Sequence, residues 1–226
     1  KILRDLELFK SDFRKYDLLS VYSSICEQKI DIEKKFVYFA LHYQPEATTY
    51  PFGNYYIDQI NAIKLLSAYL PQDYYIYVKE HPDTFNVGRE SWVIGDFSRD
   101  KNFYKELQSI ENVKLVSPNM SSLDLINKAE AISTIAGAVG LESILINKPV
   151  ILFGSPWYKN CEGTFEFNTH NKCEEAIKNL VDRKSIDNNK INQFFYEAEN
   201  SIFDDKNLIL ENNLRYIQKN FIENII

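Results

Sequence analysis

Apolar residues recur along this chain in two different registers. Over residues 1–33 they fall at helical spacing (Ile2, Leu3, Leu6, Leu8 and Phe9, then Phe13, Tyr16, Leu18 and Leu19), which predicts one or two helices. From Phe36 onward the pattern changes. FVYFALHY (36–43), YYIYVKEH (74–81), VKLVSP (113–118), AISTIA (131–136) and PVILFG (149–154) are short, dense runs of aromatic and β-branched residues, and they predict strands. Residues 55–69, 102–110, 121–129 and 137–147 lie between or after them with helical periodicity. Ser121 or Ser122 is placed to cap the third of these helices. Pro149 opens its strand, a position where its missing N–H is tolerated.

Near-continuous apolar strands alternating with helices predict a parallel sheet covered on both faces. The expected fold class is therefore α/β: a Rossmann-like parallel sheet of about five strands with a helical C-terminal tail. The organisation read from the pattern is a helical segment at 1–33, a Rossmann-like domain at 34–160, and a helical extension at 161–226 packing on it. Helices are expected near 172–183, 186–200 and 207–223. Their aromatic stripe (Phe194, Phe195, Tyr196, Phe203, Tyr216, Phe221) reads most simply as packing.

Composition narrows the function. The chain has 226 residues, 45% hydrophobic and 26% charged, in the ordinary range for a globular domain. A formal charge of −6 argues against a nucleic-acid partner. No apolar run is long enough to span a bilayer, and no signal peptide opens the chain. Cys26, Cys161 and Cys173 lack zinc spacing, and their odd count suits a reducing compartment. The expected location is the cytoplasm, with the inner face of the cytoplasmic membrane as a site of peripheral association. No metal or cofactor is expected. The chain opens on Lys1 rather than Met, so a fragment of a longer protein is one expectation.

Ligands of an open α/β sheet bind beyond the carboxyl ends of its strands. The unusual polar residues sort to that edge. His42, Gln44, Glu46, Thr48 and Thr49 follow the first strand, and Lys79, Glu80 and His81 end the second. Ser117, Pro118, Asn119, Ser121 and Ser122 follow the third; Ser133, Thr134, Gly137 and Gly140 lie at the fourth; Gly154, Trp157 and Tyr158 follow the fifth. Charges are costly in a core, so Lys79-Glu80-His81-Pro82 is expected to face a cleft or solvent.

STIAGAVGLES (133–143) combines strand-end hydroxyls at Ser133 and Thr134, a glycine at 137 allowing close backbone approach, and a helix start. That combination suits a phosphate, while a tight turn whose glycines serve packing alone is the alternative. Glu142 could accept hydrogen bonds from ribose hydroxyls. No Walker A or dinucleotide fingerprint is present. His81, protonated or as a neutral N–H donor, could meet a phosphate or a sugar carboxylate.

LHYQPEATT (41–49), YVKEHP (77–82), and STIAGAVGLES followed by KPVILFGSPWY (148–158) resemble the bacterial capsular polysaccharide biosynthesis family over residues 36–160. These are GT-B glycosyltransferases related to capsule-linker Kdo transferases. The resemblance implies one half of a GT-B architecture, the C-terminal domain that holds a nucleotide-sugar donor. Segment 1–33 would then connect to a missing or partial N-terminal domain, the acceptor side. The implied function is transfer of a sugar from a CMP- or UDP-linked donor, CMP-Kdo-like in the favoured case, to a saccharide or glycolipid acceptor in capsule or surface polysaccharide synthesis. Donor-binding residues would be His42, Lys79, Ser117, Pro118, Asn119, Ser121, Ser133, Thr134, Gly137 and Glu142, with His81 and Glu46 the catalytic candidates. A nucleotide-sugar epimerase or hydrolase, using Glu46 and Glu80, and a non-catalytic nucleotide-binding module are the alternatives.

Overall fold

The computed structural model of the chain describes residues 2–31, 33–44, 53–86 and 99–203. The chain divides into two compact units, residues 1–186 and 187–226. In the first, α1 (Ile2–Ile25) precedes β1 (Lys35–Ala40), α2 (Gln59–Tyr69), β2 (Tyr74–Lys79), α3 (Lys101–Gln108) and β3 (Val113–Leu115). There follow α4 (Ser122–Lys128), β4 (Ala131–Thr134), α5 (Ala138–Leu145), β5 (Val150–Leu152), β6 (Thr164–Glu166) and α6 (His170–Val181). The second unit contains α7 (Asn188–Phe203), where the rings of Phe194 and Phe195 meet edge-on at 5.7 Å. The helix expected at 207–223 lies outside the described residues.

All pairings in the sheet are parallel, in the order β3-β2-β1-β4-β5-β6. Strand alternation sends Val37 and Phe39 of β1 to one face and Phe36 and Tyr38 to the other. The first face packs with Ile76, Val78 and Leu115 under α1, α2, α3 and α6, through Tyr22, Ile63, Leu66, Tyr104, Leu107 and Ala176. The second packs with Tyr77 and Ile132 under α4, through Leu125 and Ile126, with Val139 of α5 at its margin. Each fully buried large apolar side chain contributes about 2 kcal/mol of transfer free energy. Burial on both faces explains why the strands lack polar alternation and read as continuous apolar runs.

The sheet has six strands rather than five. The added one is Thr164-Phe165-Glu166, half-buried at the edge. A single apolar residue between two polar ones leaves too little pattern to read as a strand. The first compact unit runs on to residue 186 and so includes β6 and α6. The N-terminal segment forms one helix, α1, and Ser121 rather than Ser122 caps α4, accepting from the Asp124 amide at 3.2 Å. Among the described residues no helix is long and apolar enough to cross a membrane.

Candidate functional site

The strand order reverses direction between β1 and β4. Crossovers leave these two neighbours on opposite sides, so their carboxyl ends open a crevice where α/β folds place ligands. His42, just past β1, and Thr134, the last residue of β4, meet there: His42 Nε2 lies 2.9 Å from Thr134 Oγ1. The proton assignment follows from the neighbours. Gly137 N–H donates to Thr134 Oγ1 at 3.2 Å and Ala136 N–H points at His42 Nε2 at 3.4 Å. Nε2 is thus an acceptor, and the Thr134 hydroxyl donates to it. Gln59, at the start of α2, holds the His42 backbone from both sides, accepting from its N–H at 2.8 Å and donating to its C=O at 3.2 Å.

Gly137 and Gly140 are glycines for want of space. Gly137 has φ −81° and ψ 160°, extended backbone that any residue adopts. A Cβ there would lie 2.9 Å from His42 Cε1 and 3.0 Å from Thr134 Oγ1. The imidazole therefore rests directly on the turn. At Gly140 a Cβ would collide with the Tyr158 ring, 3.1 Å from both Cε2 and Cζ. Tyr158 is buried, and its hydroxyl donates to Gly137 O. Burial first, and the nearby Glu142 carboxylate second, push that phenol well above its ordinary range, so it stays a donor.

The tip of β2 departs from expectation. Lys79 and Glu80 do not face solvent; they are buried, and their partners are internal. Lys79 Nζ donates to Met120 O at 2.5 Å and to Ser122 Oγ at 2.9 Å. Among the described residues no carboxylate pairs with it, and burial lowers its pKa from the ordinary lysine value. Glu80 is 1% exposed. Its Oε2 accepts from Arg99 Nε at 2.7 Å and the Tyr104 hydroxyl at 2.8 Å, and its Oε1 from the His81 amide at 2.8 Å and the Thr84 hydroxyl at 3.2 Å. Charges are affordable in a core once every lone pair has a donor. Burial and then the Glu80 charge hold the Tyr104 phenol far above its normal range. His81 caps the short turn Pro82–Phe85, its Nδ1 accepting from the Asp83 amide at 3.2 Å. The donor it can offer outward is Nε2–H.

The remaining candidates separate. Ser117 is buried, its hydroxyl accepting from the Asn119 amide at 3.3 Å, while Pro118 is half-buried and Asn119 and Ser121 are exposed on the same β3–α4 loop. Glu142 is half-buried on α5, and burial raises its carboxyl above the ordinary range. Tyr38 beneath it is pushed up to about 12, chiefly by burial. Ser133 is not brought into the crevice. It pairs with Phe39 in the sheet, is wholly buried on the α1/α2 face, and its hydroxyl has no partner. Glu46, with Thr48 and Thr49, lies outside the described residues. Among the described residues no group of His, Cys, Asp and Glu could hold a metal ion.

Residues 52–196 match the model of a family described as capsule polysaccharide biosynthesis protein. The chain belongs to that family. No curated protein matches it. Among solved structures, the beta Kdo 2,7 transferase KpsC of Thermosulfurimonas dismutans is 17% identical, with a TM-score of 0.47, over 76% of this chain and 52% of that one. The UDP-GlcNAc 2-epimerase of Methanocaldococcus jannaschii is 18% identical, with a TM-score of 0.49, over 76% of this chain and 45% of that one. The chain thus spans about half the length of either structure.

The capsule-family match includes both β4 and the Tyr158 loop, so the whole crevice apart from β1 and His42 falls inside it. Sequence reasoning placed His42, Thr134 and Gly137 at one edge but missed what holds them. Gln59, Tyr104 and Tyr22 sit in helices and Arg99 just before α3, where nothing local marks them. Tyr158 was visible beside an exposed tryptophan, yet only the fold shows it covering Gly140. One cavity of about 280 Å³ lies far from this edge, between the β5–β6 loop and the end of α6, lined by Lys159, Glu162, Glu175 and Lys184. None of the sequence candidates touches it.

Proposed function

We propose that this chain is the donor-binding half of a GT-B glycosyltransferase that moves a sugar from a nucleotide-activated donor in capsule or surface polysaccharide synthesis. The observation that carries the reading is the convergence of His42, Thr134 and Gly137 where β1 and β4 part. A phosphate belongs outside such a turn, against the positive end of α5. Thr134 and Gly137 set its floor; Glu142, a half-buried carboxylate one helical turn inside, meets ribose hydroxyls; the Ser117-Pro118-Asn119 backbone meets the pyrimidine. His81, through Nε2–H, stabilises charge on the departing phosphate. Ser133 has no part in this reading, because its hydroxyl is enclosed on the opposite face.

The donor is a CMP-sugar of the Kdo type. A single phosphate is the lighter electrostatic load, and Lys79, at the tip of β2, already places two donors on Met120 and Ser122. The chemistry is displacement of the nucleotide by an acceptor hydroxyl from the other half of the enzyme. An epimerase or hydrolase built on Glu80 is disfavoured, since both carboxylate oxygens are consumed by Arg99, Tyr104, Thr84 and the His81 amide.

The test is release of CMP from CMP-Kdo by the parent protein, with and without a saccharide acceptor. Acceptor-dependent release, lost in His81→Ala, is the expected result. Release at the same rate without acceptor would point to a hydrolase, and nucleotide binding without release to a non-catalytic module.

A further inference from the structure

The tip of β2 sits between its two sheet neighbours, β1 and β3, and it reaches both of their exit loops. Towards β1, the Glu80 carboxylate holds Arg99, and Arg99 Nη2 donates onward to His42 O at 2.9 Å. Towards β3, Lys79 Nζ holds Met120 O and Ser122 Oγ, at the end of the loop carrying Ser117, Pro118 and Asn119. Glu80 is in turn fixed by Tyr104 from α3, and its own amide donates to the Tyr22 hydroxyl of α1 at 3.2 Å.

We infer that Lys79 and the Glu80–Arg99 pair form a two-armed clamp that positions the site: the Arg99 arm sets His42 against the 134–137 turn, and the Lys79 arm sets the β3–α4 loop. This rests on the proposed nucleotide-binding role and adds positioning residues to it. An ordinary core would serve stability more cheaply with apolar residues of the same volume. Two buried charged groups, each spending its donors on the backbone or hydroxyl of a different exit loop, instead fix loop geometry to fractions of an ångström. The arms touch different parts of the site, so their loss has different consequences.

The clamp is tested on the 226-residue chain carrying labelled histidine, whose three imidazoles (His42, His81, His170) are resolved by NMR, alongside calorimetry with CMP, UMP and AMP. Arg99→Lys keeps the charge beside Glu80 but cannot also reach the His42 carbonyl. It shifts the His42 resonance and weakens all three nucleotides together, by about tenfold, or 1.4 kcal/mol. Lys79→Met leaves the His42 resonance in place and erodes the preference for CMP over AMP. A lesion in general stability would move both readouts in both variants, and that pattern overturns the clamp, as does an unmoved His42 resonance in Arg99→Lys. If Arg99→Lys fails to fold, Glu80→Gln with Arg99→Gln removes both charges and is read in the same way. If the wild-type chain binds no nucleotide, the proposed function falls, while the His42 resonance still decides the Arg99 arm.

Discussion

The tips of β2 and β4 lie two strands apart on the same edge of one sheet, and they treat polar groups in opposite ways. At β2, a buried carboxylate accepts from an arginine, a tyrosine, a threonine and an amide, so its charge is saturated within the protein. At β4, the Thr134 hydroxyl and the Ala136 and Gly137 amides form a thin relay to one imidazole, and the carboxylate nearby, Glu142, sits half-buried with its pKa raised. Saturation marks a scaffold, because nothing is left to bind. A hydrogen-bonded turn at a helix start, where the strand order of a parallel sheet reverses, is the setting in which the proposed nucleotide site is placed. The same residue types therefore carry different meanings according to what surrounds them.

The contrast breaks first at Glu80. Glu80→Ala takes the carboxylate away from the buried Arg99 guanidinium and from the Tyr104 and Thr84 hydroxyls, and urea denaturation should show a loss of about 3–5 kcal/mol; a loss below 1 kcal/mol would mean the hub carries little. Next is Gly140→Ala, where a methyl meets the Tyr158 ring in a packed site, at a cost of about 1–3 kcal/mol. Adding Tyr158→Phe should recover part of that loss, since the hydroxyl is the nearest atom to the new methyl. A double variant no better than the single would place the strain elsewhere.

Two smaller effects sharpen the comparison. Ser133→Ala removes an enclosed hydroxyl that has no partner, so stability should stay level or rise by about 1 kcal/mol, with CMP affinity unchanged. Thr134→Val next door should instead weaken CMP, because it cuts the relay from Gly137 to His42. The last concerns pH. Burial raises the Glu142 carboxyl, so between the unfolded and the raised native values the native chain holds more protons. Stability then falls as pH climbs through that window. Glu142→Gln should lack this part of the decline and melt higher than wild type near neutral pH, while binding ribonucleotides more weakly; a steeper decline would reverse the sign of the burial effect.

Much of the fold was legible because both faces of the sheet are buried. That made five strands stand out as apolar runs, and strand-helix alternation fixed the parallel topology. β6 was invisible: one phenylalanine between Thr164 and Glu166 has no periodicity to detect. The edge of the site was legible for a related reason, since strand ends are where apolar runs stop and polar residues begin. Orientation was not. Ser133 and Thr134 are adjacent in sequence, but strand alternation turns one into the core and the other into the crevice. Lys79 and Glu80 looked like cleft residues because their partners, Ser122, Arg99 and Tyr104, lie 19 to 43 positions away. Gly137 suggested a phosphate turn, yet what excludes a side chain there is His42, 95 positions earlier in the sequence, packed against it.

Titration of the 226-residue chain with CMP, followed by the imidazole resonance of His42 and by calorimetry, addresses the central claim most directly. A nucleotide seated at the β1–β4 crevice should perturb His42 saturably and leave His170 unmoved. Its affinity for CMP should exceed that for AMP and fall by about tenfold or more in Thr134→Val. A flat heat signal with an unmoved His42 resonance, or equal binding by the Thr134→Val chain, would contradict the assignment of this crevice as the nucleotide site.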